Sequence, residues 1–209
     1  MNRVQIDRFF TILGRELHAP ARVIVTGAAA GALWGHVRPS LDIDFAIQPA
    51  PGRNAWEQVE SAVETTKTLT GITANYAIDI DRWGAISLLD YRQHTHRYKV
   101  FGRLTVRLLD PAYWSIGKLT RYLQPDIDDM IAVLTRKKLA SHPLVRLWGR
   151  ALRNSPRSPA CRQFRQQVEN FLTTSGRTIW GASFDAQRAI HAFHRHAGIS
   201  SPSTDAGDT

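Results

Sequence analysis

Hydrophobic and polar residues alternate with two different periods in the first 110 residues of the chain. Apolar residues recur at helical spacing over residues 3–17, whereas a β-branched run at 21–27 and a period of two at 40–48 indicate strands. We therefore predict an α+β fold in which a small mixed β-sheet carries flanking helices. The predicted helices span 3–17, 28–34 and 54–69, and the predicted strands span 21–27, 40–48, 72–81, 83–91 and 102–111.

The pattern becomes helical in the remainder of the chain. Apolar residues fall on one helical face in 112–123, and Pro125 opens the next helix with acidic residues in its first turn. We predict an α/β domain at 1–110 and an all-helical domain at 111–197. The small polar residues at 198–209 predict a disordered tail. The remaining predicted helices span 125–139, 142–153, 158–173 and 184–197.

The composition of the 209 residues is that of a folded protein, with 43% hydrophobic residues and a single cysteine, Cys161. One cysteine allows no internal disulfide, which favours a reducing compartment. No stretch approaches the roughly 20 apolar residues that cross a bilayer. The amphipathic N-terminus also lacks the apolar core of a secretion signal. We expect a cytoplasmic protein with no membrane partner.

Positive charge is concentrated in one part of the sequence. The net charge is +9, and no acidic residue occurs between Asp129 and Glu169. A region of one sign attracts polyanions such as nucleic acids, although it is also typical of solvated helix faces, and both interpretations stay open here. The basic residues of this interval are Arg136, Lys137, Lys138, Arg146, Arg150, Arg153, Arg157, Arg162 and Arg165.

The tripeptide Asp-Ile-Asp occurs three times, at 42–44, 79–81 and 126–128. The first copy lies in a predicted strand, where alternate residues point to one side, so Asp42 and Asp44 project together. Two adjacent carboxylates repel each other unless a cation or protons offset their charge. A hard divalent cation such as Mg²⁺ accepts oxygen ligands of this kind. This first pair is therefore a candidate metal site.

Two stretches resemble motifs of a known superfamily. "TGAAAGALWGHVRPSLDIDFAI" at 26–47 resembles the signature of polymerase-β-type nucleotidyltransferases, in which a Gly-Gly or Gly-Ser turn and a short helix precede an Asp-x-Asp strand. "WSIGKLTRYLQPDIDDMIAVL" at 114–134 resembles the Lys-Leu and Asp-x-x-Asp stretch of small bacterial proteins related to abortive-infection and toxin–antitoxin nucleotidyltransferases. The resemblance covers about residues 22–135.

The resemblance implies a site for Mg²⁺ or Mn²⁺ and for a nucleoside triphosphate as substrate. Asp42 and Asp44 would bind the metal and act in catalysis, and Gly27 and Ala28 would form the turn that faces the phosphates. The family's second Gly or Ser is Ala28 here, so a hydroxyl contact to the triphosphate is missing. A third carboxylate is expected on a neighbouring strand, and we assign it to Asp81 as a catalytic residue and metal ligand.

Three further residues would contact the nucleotide by the same resemblance. Arg38 and Ser40 would support the metal site or touch phosphate, and Lys118 would approach the nucleotide from the helical part. Together these residues would carry out metal-assisted nucleotidyl transfer, in which cations offset the charge that develops on the phosphates.

The position of the third carboxylate stays open between three residues. Asp79 and Asp81 share one side of the predicted strand at 72–81, and Asp90 follows in the next predicted strand. The register cannot be read from the sequence. The alternative is a strand end made of turn-forming acids, including an ion pair with Arg82.

The third Asp-Ile-Asp has a different interpretation because it lies at the start of a predicted helix. Asp126 and Asp129 share a helical face there, and acids near a helix N-terminus are explained by the helix dipole. We expect a structural role for both, fixing Lys118 or Arg121 by ion pairs.

Three functions follow from these observations. The leading hypothesis is a metal-dependent nucleotidyltransferase that moves a nucleoside monophosphate from ATP or another triphosphate to an acceptor. The basic helical part favours RNA such as tRNA as acceptor, and the resemblance implies a toxin–antitoxin or defence context with an antitoxin partner. The alternative is a catalytically degenerate nucleotidyltransferase fold that serves as a binding or antitoxin-like module, which Ala28 motivates. The third is a plain nucleic-acid binder.

Overall fold

The computed structural model describes residues 1–36 and 38–199. This part of the chain is a mixed α+β fold with one five-stranded sheet and eight α-helices. The strands are β1 (Ala21–Thr26), β2 (Asp42–Pro49), β3 (Thr73–Ala77), β4 (Thr95–Phe101) and β5 (Leu104–Leu109). The helices are α1 (Arg3–Glu16), α2 (Gly27–Trp34), α3 (Ala55–Thr70), α4 (Pro111–Arg121), α5 (Gln124–Arg136), α6 (Ser141–Asn154), α7 (Pro159–Trp180) and α8 (Ala186–Ala197).

The sheet has the strand order β3-β2-β1-β5-β4 and contains both parallel and antiparallel pairs. β1 runs antiparallel to β2 with Thr26 opposite Asp44, and it runs parallel to β5. β2 runs parallel to β3 with Asp44 opposite Asn75. In this register the end of β1, the start of β2 and the middle of β3 lie next to one another.

The core fixes which face of β2 is buried. Phe45 packs against Phe9 and Phe10 of α1, with ring centroids 6.1 and 5.9 Å apart in edge-to-face geometry. Ile43 is fully buried as well. Because side chains alternate across a strand, Asp42 and Asp44 are directed to the opposite face, away from α1. The buried apolar residues of this core continue into the helices that follow β5.

The structure corrects two of the predicted strands. β3 ends at Ala77, and the residues predicted to continue it form a 3₁₀ turn, Ile80–Trp83, which Asp79 caps by accepting a hydrogen bond from the Asp81 amide. The predicted strand at 83–91 is wrong, since no strand lies there. Its alternating apolar residues, Ile86, Leu88 and Tyr91, are buried by packing without belonging to the sheet.

β4 was not predicted, because it is an edge strand with few apolar residues. Its side chains are exposed or half-buried along the whole strand, so no hydrophobic period marks it. The strand also carries His96, which contacts Asp110 at 2.8 Å.

Helices follow β5 up to Ala197 in the described residues, and α7 extends beyond its predicted end at residue 173. None of the helices within 1–36 and 38–199 is both long and apolar enough to span a bilayer. The division into domains at 1–110 and 111–197 stays a prediction. Nearly all of the tail predicted to be disordered, from residue 200 on, lies outside the described residues.

Candidate active site

Two carboxylates converge at the edge of the sheet. Asn75 lies opposite Asp44, and its Nδ2 donates to Asp42 Oδ2 at 3.0 Å and to Asp44 Oδ1 at 2.9 Å. Ser40 Oγ donates to Asp42 Oδ1 at 2.9 Å. One amide nitrogen therefore reaches both carboxylates, so their oxygens lie close enough to share a small ligand. Both aspartates are half-buried and Asn75 is exposed.

Gly27 makes room for Asp44 at the start of α2. Its φ of 61° is the left-handed conformation that favours glycine, and a Cβ added there would overlap Asp44 Oδ2. Trp114 Nε1 donates to the Gly27 carbonyl at 2.8 Å and ties this turn to α4. Gly27 therefore lies in a turn beside Asp44, and its role in facing the phosphates stays a prediction.

The environment of Asp44 disfavours its charged form. Burial raises the pKa of Asp44 above its ordinary value, and the neighbouring charge of Asp42 adds to the rise. The hydrogen bond from Asn75 and the positive charges of Arg121 and Lys118 oppose it only in part. A cation bound between the two aspartates would favour the ionised carboxylate.

A second pair of aspartates is neutralised by cations. Lys118 Nζ lies 2.9 Å from Asp126 Oδ1 and 2.6 Å from Asp129 Oδ2, with only 4% of its side chain exposed. Arg38 Nε donates to both oxygens of Asp129 at 3.0 and 2.9 Å, and Arg121 pairs with Asp126. Burial alone would raise the pKa of Asp126, but the hydrogen bonds from Arg121 and Lys118 outweigh it and the pKa is lowered. The expected structural role of both acids is confirmed.

Two cavities have Asp44 and Arg121 as shared lining residues. The larger, of about 410 Å³, lies between Gly27, the segment at 80–88 and α4. The smaller, of about 240 Å³, is lined by both aspartates of β2 and by Ala28, Arg38, Ser40 and Arg121, among others. Arg121 keeps 55% of its side chain exposed between them, despite its ion pair.

The structure does not bring Asp81 together with Asp42 and Asp44. Within the described residues, no group of three or more His, Cys, Asp or Glu side chains could hold a metal. Asp81 borders the larger cavity, and its carboxylate accepts a hydrogen bond from the Leu88 amide. It is displaced because β3 ends before it.

The two alternatives to Asp81 also serve local structure. Asp79 accepts hydrogen bonds from the Asp81 amide and the Tyr91 hydroxyl and lies 3.1 Å from Arg92. Asp90 precedes the 3₁₀ turn Tyr91–Gln93. Neither joins the pair on β2.

Asn75 is the functional candidate that sequence reasoning missed. It occupies the neighbouring-strand position where a third carboxylate was expected, directly opposite Asp44. The only sequence signal is its place in "TANYA", where residues 73, 75 and 77 share one side of the strand. The acids at 79–81 follow Asn75 closely in the sequence, and the third carboxylate was therefore assigned among them.

The other predicted site residues lie around the aspartates in different roles. Ser40 and Ala28 border the smaller cavity, and Ser40 orients Asp42. Arg38 also borders it, although its guanidinium is largely committed to Asp129. Lys118 forms part of the wall of the larger cavity, but its ammonium group is held by two acids rather than directed at a ligand.

The basic interval is presented partly on α6. Arg146, Arg150 and Arg153 are exposed, and their spacing places them on one face of the helix. Among the described residues, none of these three forms an ion pair with an acid. This face is therefore a free positive surface.

Comparison of the chain with protein-family models, with curated proteins and with solved structures finds no match.

Proposed function

We propose that this protein is a metal-dependent nucleotidyltransferase that moves a nucleoside monophosphate from a nucleoside triphosphate to an acceptor. One observation carries the proposal: Asp42 and Asp44 converge on a single amide nitrogen of Asn75 and have no cationic partner within hydrogen-bond distance among the described residues. Such a pair at the edge of a sheet, beside a glycine turn, is what the motif at 26–47 implies.

The residues present fit one Mg²⁺ or Mn²⁺ ion. Asp42 and Asp44 would supply carboxylate oxygens, and Mg²⁺ is often bound by one or two carboxylates that are completed by water and substrate phosphates. The bound ion would offset phosphate charge during transfer. The raised pKa of Asp44 supports this fit, because a cation would stabilise the ionised carboxylate that burial disfavours.

The chain's own groups would orient the phosphates. The first backbone N–H groups of α2 have no partner within the helix and would face an anion beside Asp44. Arg121 borders the same cleft with 55% of its side chain exposed; its Nε and Nη2 donate to Asp126, so its remaining nitrogen Nη1 would contact phosphate. Ser40 holds Asp42 in place. The acceptor hydroxyl would then approach from the side of the aspartates.

A catalytically degenerate binding module is the second candidate. Asn75 stands where a third carboxylate was expected, and an amide cannot act as a general base. Ala28 removes the hydroxyl of the phosphate turn. In that case the site would bind Mg²⁺ and nucleoside triphosphate without transferring the nucleotide.

RNA such as tRNA is the acceptor that the charge distribution favours. The free positive face of α6 would bind its phosphates, and binding would weaken as salt is raised. A defence or toxin–antitoxin context, with an antitoxin partner, belongs to the same proposal and depends on the motif at 114–134.

Label transfer tests the proposal. The protein is incubated with Mg²⁺ or Mn²⁺, each α-labelled nucleoside triphosphate, total RNA and cell lysate. We expect label on an acceptor with the wild type and none with Asp42→Asn/Asp44→Asn. The control is Glu57→Gln/Asp128→Asn, which removes two exposed acids elsewhere and should transfer normally.

The outcomes separate the three functions. Mg²⁺-dependent thermal stabilisation by a triphosphate without any label transfer would establish the degenerate module. Salt-sensitive RNA binding that persists in Asp42→Asn/Asp44→Asn, with no response to triphosphate, would leave only a nucleic-acid binder.

A further inference from the structure

We infer that the larger cavity binds the nucleobase and ribose of the triphosphate against the backbone of α4 at Gly117, while the smaller cavity binds the phosphates. This inference rests on the proposed function and adds to it the place of the nucleoside. It starts from a glycine that helix stability alone does not explain.

Gly117 lies inside α4, where glycine costs about 1 kcal/mol of helix stability relative to alanine. A Cβ added to Gly117 would meet nothing within 4 Å. The other glycines inside the described helices each have a neighbour within 4 Å of such a Cβ, although for Gly31 it lies at an ordinary contact distance of 3.4 Å. These glycines are Gly14 against Phe101, Gly31 against Trp114, Gly149 against His196 and Phe193, and Gly176 against Phe184.

The open space beside Gly117 is the larger cavity, which Gly117 borders directly. A glycine at such a position lets a ligand approach the helix backbone closely. The cavity also borders Trp83, an indole that is 46% exposed at the end of the 3₁₀ turn. A flat ring with apolar faces is the ligand that suits both a bare backbone and an exposed indole.

The two cavities share lining residues at the candidate metal site. Asp44 and Arg121 border both, so a molecule that fills both must pass the aspartate pair. The smaller cavity is lined by two arginines and three aspartates, so it would bind polyphosphate together with Mg²⁺. A nucleoside triphosphate has a flat ring at one end and a polyphosphate at the other, and in this orientation its α-phosphate would lie near Asp44.

Filling the larger cavity tests the inference. Gly117→Leu places a side chain in it, and Gly117→Ala is the matched control, which should raise the melting temperature because alanine favours the helix. Binding of each nucleoside triphosphate and of inorganic tripolyphosphate, both with Mg²⁺, is measured by calorimetry. We expect the wild type to bind its preferred triphosphate roughly tenfold tighter than tripolyphosphate, the scale of one stacked base.

In Gly117→Leu this preference should disappear, whereas the Kd for tripolyphosphate should stay unchanged. An unchanged triphosphate Kd, with or without a raised KM for the acceptor, would overturn the inference, because the cavity would then hold the acceptor or nothing. If the wild type binds neither ligand, the proposed function itself fails and takes the inference with it. If Gly117→Leu does not fold, Trp83→Ala replaces it and should weaken triphosphate binding alone.

Discussion

Two pairs of aspartates with nearly the same local sequence have opposite environments in this protein. Asp42 and Asp44 converge on the amide of Asn75 and lie beside open cavities. Asp126 and Asp129 are fully buried and neutralised by Lys118 and by arginines. Among the described residues, no cationic side chain forms an ion pair with Asp42 or Asp44, whereas Asp126 and Asp129 both form ion pairs.

The secondary structure explains this difference. In a strand, residues two apart project to one side, so a neighbouring strand can reach both at once. In a helix, residues three apart share a face, so a lysine from the preceding helix can lie between them. A carboxylate pair is therefore informative about metal binding only together with the element that holds it and the cations around it.

The largest effect should come from removing the cation of the buried pair. Lys118→Met leaves Asp126 and Asp129 buried with less compensation, and we expect a loss of about 3–5 kcal/mol in the free energy of unfolding. Urea denaturation measures it. The control is Lys67→Met, which breaks an exposed pair with Glu64 and should cost under about 1 kcal/mol. Equal losses would contradict the contrast between the two pairs.

Gly27→Ala should act on the open pair with a smaller cost in stability. We expect a loss of about 1–2 kcal/mol from the left-handed backbone. The variant should also lose stabilisation by Mg²⁺ and triphosphate, because the new Cβ overlaps Asp44 Oδ2.

Gly71→Ala is the matched control for this variant. Its φ is 69° and a Cβ there meets nothing within 4 Å, so it carries similar backbone strain without touching the site. If Mg²⁺ and triphosphate stabilise Gly27→Ala as much as the wild type, Gly27 is not needed for metal binding.

Asn75→Asp should convert the pair into a group of three carboxylates. We expect the affinity for Mn²⁺ to rise about tenfold, a change of about 1.4 kcal/mol. Without metal the variant should melt at a lower temperature, since three like charges repel. Titration with Mn²⁺ measures the first effect and thermal unfolding the second. In Asn75→Ala the affinity should not rise, and a rise there would show that loss of the amide, not the added charge, is responsible.

The smallest effect concerns the pH dependence of stability. Because the pKa of Asp44 is raised in the folded protein, the folded state holds more protons than the unfolded chain above the ordinary pKa of 3.8. The contribution of Asp44 to the stability of the metal-free protein should therefore fall as pH rises from there through its folded pKa, and stabilisation by Mg²⁺ should grow over the same range.

Asp44→Asn should remove this part of the pH dependence. At neutral pH its melting temperature without metal should be above that of the wild type by no more than about 2–4 °C, the shift that 1 kcal/mol produces at this size. Asp42→Asn is the comparison variant, because it removes the neighbouring charge but keeps the buried carboxylate. A wild-type pH profile in Asp44→Asn would show that Asp44 does not titrate as inferred.

Most helices and the first strands could be predicted from hydrophobic period alone. α1, α2 and α3 lie close to their predicted bounds, as do β1 and β2. The strand predicted at 83–91 was wrong, because the apolar residues of this segment are buried by packing and do not belong to a paired strand. β4 was missed because an edge strand has little buried surface to leave a periodic signal.

The candidate site was predictable only where one motif contained its residues. Gly27, Asp42 and Asp44 could be identified because all three lie in the motif at 26–47, although the pairing of β1 with β2 is what brings Gly27 beside Asp44. Asn75 could not, because its position depends on the register between β2 and β3. Asp81 was assigned instead because the resemblance implies a carboxylate on the neighbouring strand, but that strand ends at Ala77.

The sequence by itself determined the α+β order of elements, the common side of Asp42 and Asp44 and the common helical face of Asp126 and Asp129. These depend on periods of two and 3.6 residues, which are properties of the local backbone. Only the tertiary structure decided that Asn75 lies opposite Asp44, that Lys118 is buried between two acids and that Gly117 borders a cavity. Each of these depends on the distance between segments far apart in the chain, which no local period encodes.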